Sequence, residues 1–231
     1  EKVRKCADVS TDEMKALCSP YAQLQRDYNE FKNFIINQNP RVKDAIKKTH
    51  DFHTRLLRIL GYETDNAYTE PFVVNAEAEP IEMIPVRHIL RRGSQVKMLI
   101  MEMQHLIPVG EQEPAGLFEQ QYESEPDRNT GVQRYNAGQW EFVFKLDRNQ
   151  YKISPAIINK AITQLFLMPD EHRPHFILML AGNTVFLFDQ DKWSHGSYLQ
   201  FSLDELFTQA RVPAFRLYFA LFHLLLSKQT L

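Results

Sequence analysis

Apolar positions in this chain recur at two spacings, and the switches between them predict its elements. Over residues 11 to 37, Tyr21, Leu24, Tyr28, Phe31 and Ile35 keep helical spacing behind Thr11-Asp12-Glu13, with Pro20 either splitting the helix or opening its second piece. A second helix runs from Pro40 through Leu60. Its apolar stripe includes Ile46, Thr49, Leu56 and Leu57, and Gly61 is a natural residue just past the end. Lys43, Lys47, Lys48, Arg55 and Arg58 lie on the other side, as a solvated helix face requires. Tyr68 to Ala76 reads as a strand weakened by Pro71.

The next stretch, Ile81 to Gln104, organises the rest. It contains two apolar runs separated by Arg91-Arg92-Gly93-Ser94-Gln95, which makes a hairpin the simplest joint. The second run, Val96 to Met103, is almost wholly apolar and too short for a helix, the pattern of a strand buried on both faces. Glu82 stands near the start of the first run, and Glu102 and Gln104 end the second on one face. A carboxylate on such a strand is costly unless it is paired or binds a metal.

Residues 110 to 130 are polar, acidic and aperiodic, and read as a mobile loop; Trp140 to Leu146 alternates like a strand. Ser154-Pro155 signals a helix start, and Pro169 ends that helix. His175 to Leu180 and Thr184 to Asp189 form a hairpin about Ala181-Gly182-Asn183. Trp193 to Phe201 is loop or short strand. Ser202 opens a short helix from Leu203 to Gln209, and Pro213 precedes an apolar last helix to about Ser227.

A net charge of −2 gives no global signal for nucleic acid, so any basic surface must be a local patch. Cys6 and Cys18 form neither a CxxC pair nor a disulfide framework, which points to a reducing cytoplasm. No window has the roughly 20 apolar residues of a membrane span. A chain opening on Glu1 reads as part of something longer.

Helix, three strands, helix and two strands predict an α/β or α+β class with a central mixed sheet and flanking helices. This order resembles the restriction-endonuclease-like core of the PD-(D/E)xK nucleases. The correspondence runs through the helix ending Leu56-Leu57-Arg58-Ile59-Leu60-Gly61-Tyr62, Glu82, Glu102-x-Gln104 and the helix from Ser154. A second resemblance lies in Ala181-Gly182, Asp189, Trp193, Gly196, Tyr198-Leu199 and Leu203-Asp204-Glu205. That pattern is similar to the region before the methylase domain of bacterial restriction-modification enzymes and phage-defence N6-adenine methylases. The domains expected on this basis are an N-terminal helical segment at 1–40, a nuclease-like core at 41–190 and a helical extension at 191–231. The extension would lead towards a methylase domain of the same longer chain, where S-adenosylmethionine would bind.

The resemblance implies phosphodiester hydrolysis of double-stranded DNA. Glu82 and Glu102 would hold Mg²⁺, which lowers the pKa of a water and stabilises charge on the phosphate. Gln104 stands where the pattern has lysine; it can hydrogen-bond a water but carries no charge. Glu77, Glu79 and Asp65 are rival first acids. Arg91 and Arg92 at a hairpin tip, and Lys160 one turn before Gln164, are candidate DNA contacts, with ordinary surface as the alternative. His50 and His53 have the spacing of a helical metal pair, but the sequence identifies no carboxylate partner, so they read as core or surface histidines, as do His172 and His175. Three functions stay open: a Mg²⁺-dependent endonuclease domain, a catalytically inactive nuclease-like module that docks DNA or the methylase, and a protein-interaction scaffold.

Overall fold

The computed structural model describes residues 11–38, 40–103, 105, 116–119, 145–154, 156–208, 213–229 and 231. Gln104, Pro155, the 120–144 stretch and most of the expected 110–130 loop lie outside the described residues.

Helix α1 spans Thr11–Asn37 with Pro20 inside it, so the proline neither splits nor opens the helix. Helix α2 spans Val42–Ile59. Gly61 follows with φ +82°, the left-handed conformation that lets the chain leave the helix without a side-chain clash. The first strand is shorter than expected: β1 is Phe72–Asn75 alone. Tyr68 instead has φ +57° and is buried.

The apolar run after Pro80 divides. Strand β2 is Ile81–Ile84, and β3 resumes at His88–Arg92 after Pro85, Val86 and Arg87. The expected hairpin is therefore β3 with β4 (Gln95–Glu102), turning at Gly93 with φ +64°. Strand β2 goes to another sheet. It pairs antiparallel with β1 and parallel with β5 (Tyr151–Ile153), giving the order β1-β2-β5. Ser154 does not cap a helix. Its N–H donates to Met83 O at 2.8 Å, prolonging the β2–β5 ladder, and α3 begins at Ile158 and ends at Phe166.

Strands β6 (Phe176–Ala181) and β7 (Thr184–Asp189) form the second hairpin, followed by the short α4 (Gln190–Trp193) and β8 (Leu199–Ser202). The larger sheet has the order β3-β4-β6-β7-β8, with β4 parallel to β6 and the other neighbours antiparallel. Helices α5 (Leu203–Thr208) and α6 (Pro213–Leu226) complete a mixed α/β fold of two mixed sheets and six α-helices among the described residues. None of these helices is long and apolar enough to cross a membrane.

The central strands are buried on both faces, and their alternation creates two cores. Met98, Ile100, Leu178 and Leu180 face one core with Leu24, Phe31, Phe52, Leu56 and Phe222 from α1, α2 and α6. Leu99, Met101, Ile177 and Met179 face the other, with Ile162 and Leu165 of α3 and Met83 and Ile153 of the small sheet. Phe31 and Phe52 stack with centroids 5.1 Å apart, pinning α1 to α2. Tyr62 Oη donates to Leu226 O at 2.8 Å, tying the end of α2 to α6. Glu102 continues the Met98, Ile100 alternation and so faces α2, where His50 and His53 lie.

Candidate functional site

Glu102 is the centre of a buried polar cluster assembled from four parts of the chain. Its position at the end of β4 puts a carboxylate inside the layer between sheet and helix, only 5% exposed. Arg87, fully enclosed in the break between β2 and β3, donates from Nη1 to Oε1 at 2.6 Å. His53 on α2 places Nδ1 2.7 Å from the same oxygen. Oε2 accepts from the Tyr68 hydroxyl at 2.5 Å and lies 3.1 Å from His50 Nδ1. Arg87 also donates to Thr54 Oγ1 at 2.6 Å, and its Nη1 lies 2.9 Å from His50 Nδ1. Three members sit one turn apart on α2, at 50, 53 and 54, so one helix face supplies them together.

The proton positions on His53 follow from this geometry. Gly182 N–H donates to Nε2 at 3.0 Å, so that nitrogen is an acceptor and the proton of the neutral ring lies on Nδ1, facing Glu102. Burial, opposed only in part by Glu102, pushes the imidazole pKa down. Glu102 shows the opposite balance. Burial raises its carboxyl pKa, but Arg87 and the hydrogen bonds from the two histidines outweigh that, holding it well below the usual carboxylate range. The cluster is thus an Arg⁺–Glu⁻ pair with a neutral histidine. Beside it, burial and the Arg87 charge push His88 down to about 4. Arg87 Nε and His88 Nε2 are buried without a hydrogen-bond partner among the described residues.

The structure does not bring Glu82 to Glu102. Glu82 lies on β2 in the smaller sheet, opposite Lys152 of β5, and pairs with that lysine at 3.1 Å. Glu102 lies in the larger sheet, and its described partners are Arg87, His50, His53 and Tyr68. A divalent cation needs free carboxylate oxygens, and here both oxygens already accept hydrogen bonds, with a guanidinium where a cation would sit. The Glu82–Glu102 pair therefore does not fit Mg²⁺ in this arrangement. Gln104 lies outside the described residues, and Glu77, Glu79 and Asp65 are exposed.

Arg91 and Arg92 are exposed at the β3–β4 turn, as the sequence indicates; Arg91 pairs with Glu70 at 2.8 Å. Lys160 is exposed on α3. Among the described residues, one set has metal-ligand geometry: His175, Asp189 and Asp191, whose ligand atoms all lie within 4.8 Å of one another. Asp189 is already the N-cap of α4, accepting from Asp191 N–H at 2.8 Å.

Sequence reasoning missed Arg87 altogether and left the two α2 histidines without an acid. The available signal was the lone cation in the run Ile84-Pro85-Val86-Arg87-His88-Ile89, which a buried carboxylate elsewhere would need. The chain matches no protein-family model, no curated protein and no solved structure.

Proposed function

We propose that this chain is a nuclease-like module that does not cut, and that it docks a DNA-modifying enzyme of the restriction-modification kind onto duplex DNA. One observation carries the reading: Glu102, the acid that a nuclease core would offer to a metal, has both oxygens engaged by Arg87, His53, His50 and Tyr68. In the restriction-endonuclease-like core that the sequence resembles, this position needs a second carboxylate and a bound cation. An arginine in that place satisfies the same charge permanently and turns a reactive position into a structural one.

The mixed sheet with a helix crossing between parallel β4 and β6 is compatible with such a core. Arg92 and Lys160 are exposed and make no ion pair among the described residues, leaving them available to phosphate; Arg91 would exchange Glu70 for it. The methylase domain with its S-adenosylmethionine would be supplied by the rest of a longer chain.

Fluorescence anisotropy on a labelled duplex, with a parallel cleavage assay in Mg²⁺ or Mn²⁺, tests this. The expected result is binding that weakens steeply with salt, with the duplex left intact. Cleavage abolished by Glu102→Gln would restore the endonuclease reading. Absence of binding at low salt would leave the interaction scaffold.

A further inference from the structure

On the sheet face opposite the Glu102 cluster, a cavity of about 640 Å³ opens between α3, α4 and the turn that leads into β8. Its walls are aromatic. Phe118, Trp193 and Tyr198 surround it, with Phe118 centred 6.1 Å from Trp193 and 5.3 Å from Tyr198. Phe188 of β7 backs the group, 5.4 Å from Trp193 and 5.6 Å from Tyr198. Tyr198 stays 38% exposed and the neighbouring Leu167 78%, so this aromatic surface is open to a ligand.

The polar groups of the cavity divide into used and unused. Trp193 Nε1–H donates to Thr163 Oγ1 at 3.1 Å, and that hydroxyl donates to Asn159 O at 2.9 Å, so the indole edge and the threonine are satisfied. The carboxamides of Asn159 and Gln190 have no hydrogen-bond partner among the described residues. Among the described residues, no carboxylate, ammonium or guanidinium lines the cavity. A phosphate or carboxylate ligand would therefore find no counter-charge among these residues, and an aliphatic chain would cover the half-buried Gln190 amide and the exposed Asn159 amide without pairing them. A planar heterocycle with adjacent donors and acceptors uses both features: its faces stack on the rings and its edge pairs with the amides.

We propose that this cavity binds an unpaired nucleobase, presented by a single strand or turned out of a duplex. Lys160 and Lys192, each next in sequence to a lining residue, are exposed and make no ion pair among the described residues, so they can meet the flanking phosphates. Asp191 on the same short helix keeps the rim's net charge low, and recognition rests on the base more than on phosphate density. The inference rests on the docking reading only for the source of the base.

The test uses the whole chain carrying Trp140→Phe, which leaves Trp193 as the sole tryptophan. Its fluorescence is titrated with a short single-stranded oligonucleotide, the same oligonucleotide made abasic, free adenosine and cytidine, and inorganic phosphate. Base-bearing strands and, more weakly, the nucleosides should quench it, while phosphate and the abasic strand should not. Asn159→Ala with Gln190→Ala should weaken binding about tenfold or more. Tyr198→Ala should do likewise, with rescue by Tyr198→Phe. Equal quenching by the abasic strand, or binding indifferent to these variants while circular dichroism shows them folded, overturns the proposal. Salt-dependent duplex binding with a silent Trp193 would overturn the base site and leave the docking reading. Nucleoside quenching without any duplex binding would keep the site and remove the docking reading.

Discussion

His53 holds Glu102 and Gly182 at once, its Nδ1 2.7 Å from the carboxylate and its Nε2 3.0 Å from the backbone N–H of the β6–β7 turn. A side chain of α2 thereby bridges two strands' ends through one neutral ring. His53→Phe keeps most of the volume but strands a buried N–H and removes one donor from the carboxylate. The Gly182 N–H left unsatisfied costs about 1–3 kcal/mol, and the hydrogen bond lost from Oε1, which keeps Arg87, costs about 1 kcal/mol more. Urea denaturation should show a loss of about 2–4 kcal/mol, whereas His172→Phe, at an exposed position, should change little.

Arg87 and Glu102 form an ion pair that neither residue can leave without exposing the other. Glu102→Ala leaves a guanidinium fully enclosed beside a hole, and breaking such a pair costs about 3–5 kcal/mol. Arg87→Met alone should be similarly damaging. The double variant Arg87→Met, Glu102→Leu removes both charges and should recover most of that loss, because a buried pair and an apolar replacement of similar volume are close in stability. Denaturation midpoints of the three variants measure the coupling. A double variant that recovers most of the stability lost by the single variants would identify the cluster as structural.

Acid should loosen this protein in two stages. Burial holds His53 below its unfolded value of 6.5, and His88 is held at about 4. As pH falls through 6.5 the unfolded chain takes up protons there that the folded chain does not, so stability declines. Glu102 is held below 4.5, so below that pH the unfolded carboxyl binds a proton and the folded one resists, and stability declines again. From pH 7 upward these three groups contribute no slope. Thermal melts between pH 8 and 3.5 should show both declines, and His53→Phe should flatten the first.

Much of the architecture was legible because the chain punctuates itself locally. Gly61, Gly93 and Gly182 all adopt positive φ where the turn chemistry predicts a break, and the apolar run predicted as a strand from Val96 to Met103 forms β4, Gln95–Glu102, buried from Met98 onward. What stayed hidden is long-range. Pro85-Val86-Arg87 looks like the continuation of one apolar run, yet it is the place where the chain changes sheets and separates Glu82 from Glu102. Ser154-Pro155 has the chemistry of a helix cap, but pairing with Met83 claims the Ser154 backbone first. The histidines of α2 lacked an acid in the sequence because their partner lies 49 and 52 residues away on a strand. No periodicity reports which carboxylate a helix face will meet.

Gly182 and Gly93 separate two reasons for a glycine. Both have nearly the same backbone conformation, φ +65° and +64°. A side chain on either must pay the left-handed penalty of about 1–2 kcal/mol. At Gly93 an added Cβ would meet nothing within 4 Å. At Gly182 it would lie 2.5 Å from His105 Cβ and 2.8 Å from His105 Cα, and backbone at that distance must move. That movement drags the N–H that fixes the His53 ring, so the strain reaches the Glu102 cluster. Gly93→Ala should therefore lower stability by about 1–2 kcal/mol, and Gly182→Ala by an additional 1–3 kcal/mol or so. Urea midpoints of the two variants, read side by side, measure the difference. Equal losses would mean that the contact with His105 relaxes freely and that the turn does not hold His53 in place.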